Sequence, residues 1–412
     1  SPPPAIAAAG PRAVEAADHA SMRCGGCGSK VGAGVLRRVL ARLGVDGDGS
    51  GAGLDDAAVV VPPAEAGAVM VHTVDFFRTF VSDPYVFGRI SANHALSDVH
   101  AMGAEPTTAL AIATVPFGGE SQVEGALEQL LAGCLKTLKE AGCALVGGHT
   151  CEGAELALGL SVNGVGRGGR GSLLGKGGAA AGDALVLTKA IGTGAVLAAE
   201  MRGQAHSTWV EPAIRSMLES NGPAADVLRA HGARACTDVT GFGLAGHLAE
   251  MLRAPALCRP GSESLSPAAA TTTILSICGG GGGGGGRTCD AHVSEGPKVL
   301  STRFLSAEVN LALVPTLHGA VEAVDAGIVS TLQGQNERDN ADAVEGAARR
   351  HRNRSVGGTG PENDGKEDSR FRLLFDPQTA GGLIAAVPTE RAEACVAALQ
   401  QAGCKAAAVI GT

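Results

Sequence analysis

Apolar and polar positions along this chain repeat with two periods, one near two residues and one near three and a half. Val69, Val71 and Thr73 share one face at a spacing of two, which predicts a strand ending at Asp75, with a shorter strand before it over 57–61. Asp83-Pro84 supplies a helix start, Asp as the cap and Pro in the first turn. Ile90, Leu96, Val99 and Met102 then form a stripe that carries this helix to about Gly103. A strand follows over 108–115. Ser121 with Glu124 has capping-box spacing, and Leu127, Leu130, Leu131, Cys134, Leu135 and Leu138 recur at helical period until Gly142. Residues 144–146 read as a short strand running into a Gly147-Gly148-His149-Thr150 turn, and 158–165 as a further strand.

A Gly/Arg-rich linker at 166–180 separates a second half. There 184–188 reads as a buried strand, followed by helices around 194–203 and 210–232 and a helix opened by 238–247. Residues 255–307, with eight consecutive Gly at 279–286, carry no core-forming pattern and read as a flexible insertion. The charged stretch 336–370 reads as a mobile loop. A strand at 383–387, a helix at 388–402 and a strand at 406–410 complete the pattern. Strands alternate with helices in both halves, so the fold class is α+β. No short-period repeat is visible.

Composition narrows the function. With 33 Lys+Arg against 41 Asp+Glu the net charge is −8, and there are only 9 Phe, 1 Tyr and 1 Trp in 412 residues. An acidic chain so poor in rings is a poor binder of nucleic acid. No run of 18 apolar residues predicts a membrane span. The 11 Cys are odd in number, and Cys134, Cys143, Cys395 and Cys404 lie singly within apolar segments, which predicts reduced thiols. Without an apolar leader in the first twenty residues the expectation is a cytoplasmic protein, or an organellar one if residues 1–21 are a transit remnant.

Candidate chemistry lies where apolar elements meet Gly-rich or polar turns. Asp55-Asp56, Asp75, Asp98, Asp238 and Asp376 all stand at such places. Each taken singly is more simply a cap or a turn former, and Asp238 and Asp376 are good cap candidates. Asp98 is different, because a carboxylate within a mostly apolar helix requires a partner. Several such Asp together would suit Mg²⁺, a hard cation that prefers oxygen and offsets the repulsion of a polyphosphate. Gly-rich segments at Gly147-Gly148-His149, Gly192-Thr193-Gly194 and Thr379-Ala380-Gly381-Gly382 would let backbone amides approach phosphate. In a chain with 62 Gly each is a weak signal, and no Walker A motif is present. Singly, His149 is a phosphate contact at best, His247 a capped or surface residue, and Trp209 a packing residue. Cys24-Gly25-Gly26-Cys27-Gly28-Ser29-Lys30 has neither the second Cys pair of a zinc site nor the βαβ setting of a thioredoxin-like motif. It reads either as a mobile nucleophile loop whose thiolate Lys30 supports, or as a tail with incidental cysteines.

Taken together and in order, these segments resemble the selenophosphate synthetases (selenide, water dikinases). The resemblance is carried by Cys27-Gly28-Ser29-Lys30, Asp55-Asp56-Ala57-Ala58-Val59, Thr73-Val74-Asp75, Asp83-Pro84-Tyr85-Val86-Phe87-Gly88-Arg89, Asn93-His94-Ala95-Leu96-Ser97-Asp98 and Gly147-Gly148-His149. Leu187-Thr188-Lys189, Thr237-Asp238-Val239-Thr240-Gly241-Phe242-Gly243 and Asp376-Pro377-Gln378-Thr379-Ala380-Gly381-Gly382 continue it. It implies two domains of the aminoimidazole ribonucleotide synthetase type, the sheet of the first forming a barrel on homodimerisation. The expected division is a flexible segment with the Cys/Lys catalytic loop at 1–50, an ATP- and Mg-binding domain at 51–166 and a C-terminal α/β domain at 167–412 that carries the insertion. The implied reaction converts ATP, selenide and water to selenophosphate, AMP and phosphate with Mg²⁺, K⁺ being a second candidate cation. By position the resemblance makes Cys27 and Lys30 catalytic and Asp56, Asp98 and Asp238 magnesium ligands. It places Lys30, Asp55, Asp75, Asp98, Gly147, Gly148 and His149 at the nucleotide.

Some positions depart from that pattern. Ser29 stands where many relatives carry a second Cys before the Lys, and Cys24 lies upstream instead. This form resembles members fused behind a flavoprotein, so an upstream flavoprotein domain in a longer precursor is an expectation. Thr150 to Glu155 replace an acidic, Pro-containing stretch, and the poly-Gly run is foreign to the pattern. Two competing readings are a sister enzyme such as a thiamine-phosphate kinase, which would not need the Cys/Lys loop, and a non-catalytic nucleotide-binding paralogue, which would be expected to have lost it.

Overall fold

The computed structural model describes residues 58–60, 67–116, 120–167, 170–254, 275–278, 305–344 and 368–412. The first half contains strands β1 (Ala58–Val60) and β2 (Ala68–Arg78), helix α1 (Pro84–Ala101), strand β3 (Glu105–Pro116), helix α2 (Glu120–Glu140), and strands β4 (Ala144–Gly153) and β5 (Ala157–Arg167). They form a sheet of order β1-β2-β5-β3-β4. The pairs β1–β2, β2–β5 and β5–β3 are antiparallel and β3–β4 is parallel.

The predicted start of α1 is present. The Asp83 carboxylate accepts from the amides of Tyr85 (2.8 Å) and Val86 (3.1 Å), with Pro84 in the first turn. This helix is buried on nearly every side because the sheet, α2 and the second half all pack on it. Its closeness to α2 depends on two glycines. A Cβ on Gly88 would lie 2.1 Å from the carbonyl oxygen of Leu130, and one on Gly133 would lie 2.0 Å from that of Tyr85. Phe77, Phe87, Ile90, Leu96, Leu130, Leu138, Leu158 and Leu160 fill the core between α1, α2 and one face of the sheet.

The second half contains β6 (Asp183–Leu187), α3 (Thr193–Met201), α4 (Ser207–Leu218), α5 (Gly222–Ala230), β7 (Ala235–Asp238) and α6 (Gly243–Arg253). It continues with β8 (Leu275–Cys278), β9 (Ala307–Asn310), α7 (Ala320–Asp325), α8 (Gln333–Asp339), α9 (Ser369–Leu373), β10 (Leu383–Pro388), α10 (Thr389–Gln401) and β11 (Ala408–Gly411). Its sheet has the order β7-β10-β6-β11-β9-β8. Every residue of β6 and β10 is buried, because helices cover both faces. Ile384 and Ala386 join a core with Leu187, Leu244 and Phe375, whereas the alternate residues Leu383, Ala385 and Val387 join Val186, Leu228 and Leu399 on the other face. The latter cluster also takes in Ala101 of α1, which locks the two halves together.

Several expected boundaries shift. Strand β2 passes Asp75 and continues to Arg78, as its pairing with β5 requires. Gly147-Gly148-His149 is not a turn but the middle of β4, held there by parallel pairing with Leu110–Ile112. Helix α2 already includes Glu120, so Ser121 stands within the helix and not at the position before it. The single helix expected over 210–232 is two, α4 and α5, separated at 219–221. Within the insertion expected at 255–307, 275–278 form strand β8 beside β9, and the loop expected at 336–370 has helices α8 and α9 at its margins. No helix among the described residues is long and apolar enough to cross a membrane.

Candidate active site

Alternation along β2 turns Thr73 and Asp75 to the face that packs on α1, and Asp98 stands on the last turns of that helix. Thr73 Oγ1 donates to Asp98 Oδ2 at 2.5 Å, which supplies the partner that a carboxylate in this helix requires. Asp238 ends β7, is 2 % exposed and pairs in register with Leu383 of β10. Strand β7 packs against α1, so the elements that carry Asp98 and Asp238 meet at the junction of the two halves. Asp238 therefore ends a strand and does not cap α6, which begins only at Gly243.

The donor set offered here is oxygen only, Asp98, Asp238 and the hydroxyl of Thr73, and suits Mg²⁺ rather than a softer metal. Among the described residues no three His, Cys, Asp or Glu side chains close on one point, so a complete cation site would need a further ligand. Asp56, the third expected ligand, lies outside the described residues, as do Cys27, Lys30 and Asp55. Gly147, Gly148 and His149 are exposed on the edge strand β4. Strands β5 and β3 stand between it and β2, a separation of about 14 Å at ordinary strand spacing. The sheet of one copy therefore does not bring the Gly pair against Asp98. A side chain at Gly148 is excluded nonetheless, since its Cβ would meet the Ala111 carbonyl oxygen at 2.0 Å.

Asp376, a cap candidate by sequence, is a cap in the structure, and the loop 376–382 that it opens ties distant segments together. The Asp376 carboxylate accepts from Gly194 N (3.0 Å) and Ala195 N (3.2 Å) and so caps α3, a helix far away in sequence. Burial pushes this carboxyl up to about 7, against the pull of the hydrogen bonds from Ala195, Gln378 and Gly194. Gln378 Oε1 takes the amides of Gly192 and Thr193. Ala380 is held at φ 47°, in the left-handed region that costs a non-glycine residue about 1 kcal/mol or more. Its amide donates to His94 Nδ1 of α1 at 3.0 Å. His247, expected at the surface or at a cap, is 3 % exposed. It meets Thr240 Oγ1 at 3.2 Å and stands 3.3 Å from Glu250, which Lys176 also reaches at 3.1 Å. Burial alone would raise the Glu250 carboxyl; the His247 hydrogen bond and the Lys176 ammonium outweigh it and hold it at about 2.

Cys134, Cys143, Cys395 and Cys404 are free thiols, as expected of isolated Cys in apolar segments, and so are Cys151 and Cys236. Burial, aided by neighbouring Cys143, pushes Cys134 up to about 12, so it is inert as a nucleophile. Trp209 packs against the core of the second half.

Comparison with known proteins matches this architecture. Residues 54–167 match the N-terminal domain of AIR synthase related proteins and 180–256 match their C-terminal domain. The fold is shared with the thiamine monophosphate kinase of Aquifex aeolicus (TM-score 0.53, 14 % identity, 92 % of each chain). It is shared also with the hydrogenase maturation protein HypE (TM-score 0.53, 16 % identity, 87 % of this chain and 83 % of that one). In sequence the chain is 36 % identical to the selenide, water dikinase of Pelobacter propionicus over 94 % of its own length and 92 % of the relative's. It is 33 % identical to that of Geobacter metallireducens over 95 % and 94 %. Likeness of that extent reaches across both domains and through the junction where Asp98 and Asp238 stand, and the chain belongs to the selenide, water dikinase family.

Proposed function

We propose that this protein is a selenophosphate synthetase that converts ATP, selenide and water to selenophosphate, AMP and phosphate. The observation that carries the reading is the likeness to named selenide, water dikinases over more than nine-tenths of the chain. Asp98, fixed by Thr73, and Asp238 would hold Mg²⁺ together with Asp56. Bound there, Mg²⁺ would neutralise charge on the triphosphate. Asp55, Asp75 and Gly147-Gly148-His149 are assigned to the nucleotide. Cys27 is assigned to delivery of selenide, and Lys30 to charge developing on the transferred phosphoryl group. The working unit is a homodimer assembled through the outer face of the first sheet, and a flavoprotein domain encoded upstream is a further partner to seek in the transcript.

The test is product analysis under anaerobic conditions with Mg–ATP, with and without selenide and with and without K⁺. AMP together with a selenide-dependent phosphorus signal is expected. In Cys27→Ser that signal should vanish while Mg–ATP still binds; loss of nucleotide binding in this variant would refute the role given to Cys27. ADP as the product would move the assignment to a sister kinase.

A further inference from the structure

Lys189 follows β6 and is 3 % exposed, a rare position for a lysine. Its ammonium has three acceptors, all of them backbone carbonyl oxygens: Ser216 at 3.1 Å, Glu219 at 2.6 Å and Ala380 at 3.1 Å. The first two lie at the end of α4 and the third on the loop that leads into β10. Helix α1 grips the same two segments from the other half of the molecule. Asn93 Nδ2 donates to the carbonyls of Met217 (2.8 Å) and Glu219 (2.7 Å), and His94 Nδ1 accepts from Ala380 N. Ser97 Oγ accepts from Asn221 Nδ2, which also donates to Gly381 O. The Ala380 peptide, in its left-handed conformation, is thus held by α1 at its amide and by Lys189 at its carbonyl. Asp98 lies one turn beyond His94. Val239, next to Asp238, donates its amide to Gly382 O, so the knot and the strand end that carries Asp238 are continuous.

We propose that Lys189 is a positioning residue for Mg–ATP binding: it ties the end of α4 to the Ala380 loop, α1 seats on that knot through Asn93, His94 and Ser97, and Asp98 is thereby held in register with Asp238. The proposal rests on the reading of these two carboxylates as Mg–ATP ligands. Burial brings the ammonium down to about 8, with Glu219, Cys404 and Asp238 pulling the other way. A lysine retained at that cost is consistent with a group whose three donors are all in use.

The test uses the full chain and three variants. Lys189→Met keeps the side chain's length without its charge. His94→Ala removes the acceptor of the Ala380 amide, and His94→Asn offers an oxygen near the place of Nδ1. Amide exchange at Ala380 and over 216–222 is followed by NMR or mass spectrometry, and Mg–ATP affinity by calorimetry. Exchange and dissociation constant should each rise by about tenfold or more in Lys189→Met, the scale of one charged hydrogen bond, and by about fivefold or more in His94→Ala, which leaves a buried amide without its acceptor. His94→Asn should return both to within about threefold of wild type. Unchanged exchange at Ala380, or faster exchange with Mg–ATP affinity within about twofold of wild type, overturns the proposal. Should Lys189→Met not fold, the two His94 variants decide it. A wild-type chain that binds no Mg–ATP would overturn the functional reading instead, with the exchange rates still deciding whether the knot exists.

Discussion

A carboxylate on a buried helix must be met by a donor or a cation, and Asp98 is met by Thr73 at 2.5 Å. A hydrogen bond to a charged group is worth about 1.5–3 kcal/mol, so Thr73→Val should weaken Mg–ATP binding by about tenfold or more through a misplaced Asp98. Asp98→Asn should weaken it further, and calorimetry at limiting Mg²⁺ showing unchanged affinity for both would count against the site. Two other buried groups give a pH signature. Asp376 stands at about 7 instead of its ordinary 3.8 because of burial. The stability linked to it is full below 3.8 and is lost as pH rises through 7. His100 is lowered from 6.5 to about 4 by burial and then by the Lys189 charge. The stability linked to His100 is present above 6.5 and is lost as pH falls through 4. The two slopes oppose each other between about pH 4 and 6.5. Asp376→Asn, which keeps an acceptor for the α3 amides, should therefore unmask a fall in urea midpoint on acidification through that window. Parallel curves for variant and wild type would refute the assignment.

At the scale of elements, α1 and α2 meet through Gly88 and Gly133. Alanine at Gly88 would gain about 1 kcal/mol in helix propensity. Its Cβ would lie 2.1 Å from a backbone oxygen, which no side-chain rotation can relieve, and overpacking costs about 1–3 kcal/mol or more. A clash with backbone puts the cost at the upper end of that range, about 3 kcal/mol, so net of the propensity gain Gly88→Ala should lower stability in urea by about 2 kcal/mol and Gly88→Val by more. The same elements show what a sequence can tell. Helix α1 was legible from Asp83-Pro84 because its start signal is local, and β10 from its apolar run. Asn221-Gly222-Pro223 is an equally local stop and start between α4 and α5, which the apolar stripe around it obscures. The Gly pair in β4 was not legible as strand, since glycine favours turns and only pairing with β3 overrides that preference. Asp98 declared itself by being a carboxylate in an apolar helix. Lys189 did not, because its three acceptors come from segments 27 to 191 residues away in sequence. Asp376 and Gln378 likewise act on a helix start more than 180 residues away.

For the whole molecule the decisive feature is the outer face of the first sheet. A sheet with one covered face ordinarily presents polar residues on the other. Here Val74, Phe76, Leu110, Ile112 and Val146 are 43–64 % exposed. Pairing sets Phe76 and Ile112 on either side of Gly159, and Val74 and Leu110 on either side of Ser161. The small residues of β5 let the four flanking side chains make one apolar block. Contiguous patches of this kind are rare on monomers. Burying such side chains contributes about 1.5–3 kcal/mol each, enough to offset the entropy of association only if several are covered together. A second copy presenting the same block is the simplest cover, because a two-fold interface is self-complementary. Phe76→Lys combined with Ile112→Glu leaves the covered face and its core untouched. The double variant should therefore keep its circular dichroism while its sedimentation falls from that of a dimer to that of a monomer. If the wild-type chain already sediments as a monomer at micromolar concentration, the outer face does not bind a second copy, and the homodimer is refuted.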